Sequence, residues 1–197
     1  MLRVSEQELA SVSLTPPEVS ALLEMPERRV RKEIEHGLLP SPPKIDFQAA
    51  VYLHVLNSFA ETDPSVELRR ILLSSIRSHL VHSRVSSVPR ETEIVHGVYL
   101  HLRTFAEEVC ERVLPFSRWR DRRVVNDPSI LGGEPVFRGS RLSVRGIGEA
   151  ANQGTTVDEL LQDYPYLKSD DIEFARRFAR AYPRVGRPRA SAKASAR

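Results

Sequence analysis

Cysteine is almost missing from this chain of 197 residues. The single Cys110 cannot build an intrachain disulfide framework or a zinc knuckle. Aromatic side chains make up only 7%. No stretch approaches the roughly 18 uncharged apolar residues of a membrane-spanning helix. The best run, Ala49-Ala50-Val51-Tyr52-Leu53, stops at His54. Glu6 and Glu8 precede any apolar run, which is unlike a secretory leader. What is present is ordinary globular composition, 41% hydrophobic and 28% charged, too apolar for a wholly disordered chain. The length fits one domain of usual size or two small ones, and a soluble cytoplasmic protein is expected.

Acid is missing from one region as well. Eight of the 29 bases and none of the 26 acids lie between Phe174 and Arg197, so the rest of the chain is net −5 while the whole is +3. A mildly acidic body with a basic end meets an anionic partner through that end, or else carries a solvated tail.

Leu14 to Pro40 reads as two short helices and a tight turn. Thr15 suits an N-cap, Glu18 stands at the capping-box position, and Pro16 loses no hydrogen bond as first helical residue. Val19, Leu22 and Leu23 form one apolar face. Met25-Pro26 marks the start of a second helix, expected from about Pro26 to His36 and stopped at Gly37. Val30 and Ile34 point inward, four residues apart. Arg28, Arg31, Lys32 and Glu35 share the outward side, with Arg29 beside them. Such a second helix fits a major groove, where long cations reach phosphates and guanine edges. The segment resembles the helix-turn-helix of MerR-type and excisionase-type proteins. Where such turns carry glycine, this one has Leu23-Glu24-Met25. The alternative is a structural helical hairpin in which Glu27, Glu33 and Glu35 dilute the basic face.

The middle of the chain predicts helices over Asp46–Ala60 and from Asp63-Pro64-Ser65 to about Val81. The apolar positions of the latter wrap most of the way round, which implies burial between neighbours or subunits and makes a homodimer plausible. Ser83 to Glu93 reads as a loop, Ile94 to Leu100 as a short strand, and Leu102 to Trp119 as a helix. His79 and His82, or His96 and His101, lack the acid that completes a helical ligand pair, so neither metal nor cofactor is expected. Cys110 sits by the apolar side of its helix and reads as a buried filler.

Val124-Val125 and Pro135-Val136-Phe137 are expected to pair as a short hairpin across Asp127-Pro128 and Gly132-Gly133. Three helices follow. The first begins near Ser143 and ends at Gly154. The second is capped by Thr156 with Glu159 and closed by Pro165. The third is capped by Ser169. Ile172, Ala175, Phe178, Ala179 and Tyr182 form the inner stripe of the third, with Arg176, Arg177 and Arg180 outside, a homeodomain-like layout. A packing module with solvated arginines is the alternative.

Asp127 to Val144 (DPSILGGEPVFRGSRLSV), Thr156 to Pro165 and Asp170 to Ala175 together resemble the small bacterial domain of VapB-type antitoxins in type II toxin-antitoxin systems. Ser140 stands where threonine is commoner. That resemblance implies a bacterial antitoxin whose partner is a PIN-like ribonuclease encoded beside it, the pair repressing its own promoter by binding operator DNA. The tail, Pro183 to Arg197, has no apolar pattern. Two roles fit its cations. Arg184, Arg187 and Arg189 can pair with the metal-gathering carboxylates of such a nuclease. Val185-Gly186-Arg187-Pro188 also partly resembles a minor-groove AT-hook.

The fold expected is mainly α. An N-terminal helix-turn-helix (1–40) leads to a helical dimerisation region (41–121). A C-terminal homeodomain-like three-helix domain with a preceding β-hairpin (122–183) follows, then a basic tail (184–197). No nucleophile–base pair, phosphate loop or metal spacing points to an enzyme. DNA contact is expected from Arg28, Arg29, Arg31, Lys32, Arg176, Arg177 and Arg180, and toxin contact from Arg184, Arg187 and Arg189. A stand-alone helix-turn-helix regulator or an excisionase-like protein is the alternative function.

Overall fold

The structure is a computed structural model that describes residues 5–41, 44–59, 62–80 and 85–183. It is mainly helical, and two small antiparallel two-stranded sheets are placed among the helices. Among the described residues no helix is long and apolar enough to cross a membrane.

A short helix that sequence pattern alone did not suggest comes first. Ser5 and Glu8 form a reciprocal capping box that starts α1 (Glu6–Ala10). The expected box of Thr15 and Glu18 opens α2 (Pro16–Leu23). In the turn, Glu24 takes the left-handed conformation at φ 53°, the position where glycine was missed. Ser20 Oγ donates to Met25 O at 2.6 Å and Met25 N to Ser20 O at 3.1 Å, two bonds that hold this less favoured backbone closed. The second helix, α3 (Glu27–Glu35), starts one residue later than expected, with Pro26 at its N-cap and Gly37 at φ 70° beyond its end.

Asp46 caps α4 (Phe47–Ser58) through Ala49 N at 2.7 Å. Eight of the twelve residues of α4 are buried, so it runs through the interior of the protein. Reciprocal 2.9 Å bonds between Leu14 and Ile45 pin the approach to α4 against the approach to α2. The next helix, α5 (Val66–Leu80), departs from the all-round burial expected of it. Leu72, Leu73, Ile76 and Leu80 are inside, but Leu68 and Ile71 are exposed.

The single strand expected over Ile94–Leu100 is instead a hairpin, β1 (Thr92–Val95) and β2 (Val98–Leu100). Gly97, at φ 81°, supplies the turn inside that apolar run. The loop expected before it contains one 3-10 turn, Val85–Ser87. Past Trp119 the long helix α6 (Leu102–Arg123) continues to Arg123, with Pro115 inside it.

The second hairpin pairs as expected. β3 (Val124–Val125) lies against β4 (Val136–Phe137), Val124 opposite Phe137 and Val125 opposite Val136. α7 (Val144–Asn152) is capped by Ser143, and α8 (Val157–Asp163) by the Thr156/Glu159 box. In α9 (Ser169–Ala181) the expected cap moves. Ser169 is the first helical residue, and Asp171 Oδ2 accepts the Lys168 N–H at 3.0 Å. That carboxylate, in the first turn, satisfies the N–H of the N-cap residue and sits where the helix dipole favours an anion.

One buried apolar cluster extends from Leu9 to Phe178 and crosses the expected segment limits near residues 40 and 121. Helix α9 packs on α7, α2 and α6, so the C-terminal unit rests on the first helix of the helix-turn-helix. The Tyr182 hydroxyl hydrogen-bonds Thr15 Oγ1 at 2.7 Å across that seam, and α6 is tied to the N-terminal helices by Arg120 with Glu18 at 2.8 Å and Arg118 with Glu8 at 2.5 Å.

Candidate nucleic-acid interface

Helix α3 is the most peripheral of the basic elements. Its principal neighbour is α2, and only Val30 and Glu33 of its nine residues are buried. Arg28 and Arg31 are exposed. Among the described residues Arg28 bonds no other side chain. Arg31 holds Glu27, four residues back, at 2.6 Å. An exposed pair of that kind is worth about 0.3–0.5 kcal/mol, so a phosphate displaces it at little cost. Lys32 is less available: its Nζ meets Asp63 Oδ2 at 2.8 Å, and it clips the end of α3 to the start of α5. That bond also holds the Asp63 carboxyl below the usual carboxylate range. Arg29 turns away from the other three. It is half-buried, and its Nη1 donates to Asn57 Oδ1 at 3.2 Å, joining α3 to the end of α4.

Behind the exposed cations lies a buried anchor. Glu33 has no exposed surface. Its Oε1 accepts from Arg69 of α5 and its Oε2 from the Tyr52 hydroxyl of α4, both at 2.5 Å. Burial, then the hydrogen bond to Glu33, keeps the Tyr52 phenol protonated well above its ordinary range. Glu33 therefore does not dilute the basic face. It faces the interior, and a single side chain there fixes α3 to two other helices.

The second basic set is on α9. Arg176 pairs with Glu173 at 3.1 Å, Arg177 lies over the Phe174 ring at 5.5 Å, and Arg180 is exposed. Asp171, Ile172, Ala175, Phe178, Ala179 and Ala181 of the same helix are buried. α9 packs on α7, α2 and α6 and buries six of its thirteen residues, whereas α3 buries two of its nine. Geometry therefore favours α3 as the element that can lie in a groove. Arg184, Arg187 and Arg189 lie outside the described residues.

Asp171 organises the C-terminal unit. It accepts the Trp119 indole N–H at 2.9 Å and both an Nε and an Nη2 bond from Arg123 at 2.8 and 2.6 Å. Phe174 stacks on Trp119 with centroids 5.5 Å apart. Burial pushes the Asp171 carboxyl up, but Arg123, the Lys168 N–H and Trp119 outweigh it and leave it below the usual range. The unfolded chain then binds this proton more tightly than the folded one. The contribution is complete above the unfolded value, about 3.9, and is lost as pH falls through the lower folded value. Asp171→Asn is expected to be less stable than the natural chain at pH 6 and to lose less stability on acidification. Urea denaturation followed by emission of Trp119, the single tryptophan, measures both; equal pH dependence in the two proteins would contradict it.

A cleft of about 440 Å³ opens where α2, α6, α7 and α9 meet, walled by Glu18, Arg120, Asn126, Arg145 and Tyr182 among others. It adjoins the end of α9, after which the described chain stops at residue 183. Elsewhere Cys110 is buried, and burial pushes its thiol up to about 11, so it stays a protonated filler in α6.

Residues 124–179 match the family model described as Protein of unknown function (DUF433). The match begins at β3 and ends within α9, enclosing the hairpin and the three-helix unit and leaving the helix-turn-helix outside. The uncharacterized protein y4eO of Sinorhizobium fredii is 34% identical over 106 residues, 53% of this chain and 48% of its own length. The chain thus spans about half the length of that curated relative. The crystal structure of Rv2018 from Mycobacterium tuberculosis is similar at 18% identity over 83% of this chain and 96% of that one, with a TM-score of 0.35.

Proposed function

We propose that the chain is a DNA-binding antitoxin. It would bind operator DNA upstream of its own frame through α3, and bind and inhibit a PIN-like ribonuclease encoded beside it. The observation that carries the DNA half is α3 itself, which turns Arg28 and Arg31 to solvent while Glu33 locks the helix from behind. Long cations on a rigid, outlying helix gain contacts with phosphate without reordering the scaffold. Lys32 can join them by exchanging Asp63 for phosphate, and Arg29 contributes by seating the helix. On this reading Arg176, Arg177 and Arg180 add a secondary positive stripe.

The nuclease half is supported by the resemblance of the Asp127–Val144 motif and its two companion segments to VapB-type antitoxins, and by the excess of arginine after Tyr182. An arginine reaching a metal-gathering carboxylate cluster forms charge-assisted bonds of about 1.5–3 kcal/mol each, against the ordering entropy of the tail.

Co-expression tests this half. A chain ending at Tyr182 is expected to lose protection against the neighbouring nuclease while it keeps its melting temperature. Undiminished protection would contradict tail insertion. A full chain that never co-purifies with the neighbouring product would leave a stand-alone helix-turn-helix regulator.

A further inference from the structure

Three exposed arginines, Arg122, Arg138 and Arg141, meet where α6 ends and the chain turns back after β4. Phe137 N donates to Leu142 O at 3.0 Å and Ser140 N to Phe137 O at 3.0 Å, which closes Arg138-Gly139-Ser140-Arg141 into one turn. Gly139 supplies its left-handed residue at φ 77°. Ser140 Oγ braces the turn, donating to Phe137 O at 2.9 Å and accepting from Leu142 N at 3.1 Å. Arg138 is clamped to the last turn of α6. Its backbone N donates to Arg123 O at 2.7 Å, its Nε to Arg122 O at 2.9 Å and its Nη2 to Asp121 O at 3.3 Å. Arg122 Nε donates to Arg118 O at 3.0 Å. Cations complement the partial negative charge of a helix C-terminus. That accounts for Arg122 and Arg138 but not for Arg141, whose side chain bonds nothing among the described residues. Nor does capping engage every N–H of the first two guanidinium groups. The nearby acids are taken, Asp121 by Arg120 at 3.1 Å and Asp171 by Arg123 at 2.6 Å. Among the described residues none of the three arginines has a carboxylate partner, and residues 184–197 contain no acid.

We propose that this turn and the end of α6 form a second phosphate-binding site, which grips the backbone of duplex DNA without reading its sequence. Guanidinium groups match phosphate oxygens bidentately. Gly139 and Ser140, between two of the arginines, are small enough to let a sugar-phosphate strand approach. The turn is already fixed by its own hydrogen bonds, so binding costs little ordering of the backbone. None of the exposed large hydrophobic residues belongs to the turn or to the last turns of α6. The surface therefore lacks the apolar core of a protein interface and has the polar, positive character of a DNA-binding one. Contacts of this kind set position and orientation on the duplex, while base contacts specify sequence. The site rests on the reading of the chain as a DNA binder, but not on α3 being the element in the groove.

Arg122→Ala with Arg141→Ala removes two of the contacts and leaves the Arg138 clamp in place. For the full chain and its upstream DNA, the steepness of log affinity against log salt is expected to fall by roughly two, and affinity by about tenfold near 0.1 M salt. An unrelated duplex of equal length should show the same loss, because phosphate carries no sequence. The melting temperature is expected to stay that of the natural chain, since both side chains are exposed. Arg122→Lys with Arg141→Lys keeps the charges and should keep most of the steepness. Arg77→Ala with Arg90→Ala, an equal change of charge at exposed positions elsewhere, should leave it unaltered. Unchanged steepness in the Arg122/Arg141 variant, an equal fall in the Arg77/Arg90 variant, or a natural chain that binds neither duplex would each overturn the site. Steepness lowered by Arg28→Ala with Arg31→Ala but not by this pair would remove the turn and leave α3. The reverse would remove α3 and leave the turn. Unchanged steepness together with lost co-purification of the neighbouring product would mean that the turn meets protein, which also overturns the proposal.

Discussion

Glu33→Ala is expected to destabilise the protein by about 3–5 kcal/mol, the range for removing one partner of a buried ion pair. Glu33 is fully buried, and it satisfies Arg69, itself 4% exposed, and the Tyr52 hydroxyl. Without it the guanidinium remains inside with no bonded counter-charge, and among the described residues Arg69 Nε already has no partner. The loss is therefore mostly the cost of a stranded cation and only partly that of a missing bond. Two further variants separate these contributions. Tyr52→Phe removes one hydrogen bond and should cost about 0.5–1.5 kcal/mol. Glu33→Leu combined with Arg69→Met replaces the pair with apolar volume and should recover most of the stability lost by Glu33→Ala. Urea midpoints at constant slope measure all three. A Glu33→Ala chain as stable as the natural one would mean that α3 is not held through this site. Domains have about 5–15 kcal/mol in total, so the variant should also populate unfolded chain readily.

Gly148→Ala is the second large effect. A Cβ at this position would lie 2.0 Å from Ala175 O and 2.5 Å from Ala175 C, both backbone atoms of α9. Its third neighbour, Ala179 Cβ at 2.7 Å, has no longer rotamer to adopt. Nothing at the crossing yields, so α7 and α9 must separate, and with them the packing of Ile147, Ala151 and Ile172. A cost of about 3 kcal/mol is expected, at the upper end of overpacking. Gly146→Ala, two residues earlier in the same helix, is the control. Its Cβ would find Ser143 at 3.4 and 3.5 Å, and alanine gains about 0.5–1 kcal/mol of helix propensity over glycine. The two substitutions are chemically identical and should differ in sign; thermal melts that place them together would contradict the close crossing.

Local signals along the chain were legible where one side chain acts on its own backbone. The boxes at Thr15/Glu18 and Thr156/Glu159 and the β3–β4 pairing follow from residues within reach of each other in sequence. Legibility failed where a competitor or a distant partner decides. Ile94 to Leu100 looks like one strand because a single glycine divides it. Ser169 looks like a cap because serine usually is one, yet the helix begins at Ser169 itself and the N-cap is Lys168, whose N–H is held by Asp171. The largest misreading concerns charge. Glu33 and Arg29 read as surface residues among their basic neighbours, and nothing near them in sequence reveals that Arg69, 36 positions on from Glu33, or Asn57, 28 on from Arg29, will meet them. Gly148 gives no sign of its crossing either, because the contact belongs to a helix that begins 21 residues later. Of the candidate site, Arg28 and Arg31 stand where helical periodicity put them, and Lys32 and Arg29 are drawn into tertiary bonds that periodicity does not encode.

The most direct test is the affinity of the full chain for the DNA upstream of its own frame, measured across a series of salt concentrations. Each phosphate contact contributes about 0.9 to the slope of log affinity against log salt on duplex DNA. Arg28→Ala with Arg31→Ala is expected to weaken binding and to reduce that slope by roughly two, with the melting temperature unchanged because neither side chain is buried. Equal affinity and equal slope for the variant and the natural chain would contradict the assignment of α3 as the groove-facing element.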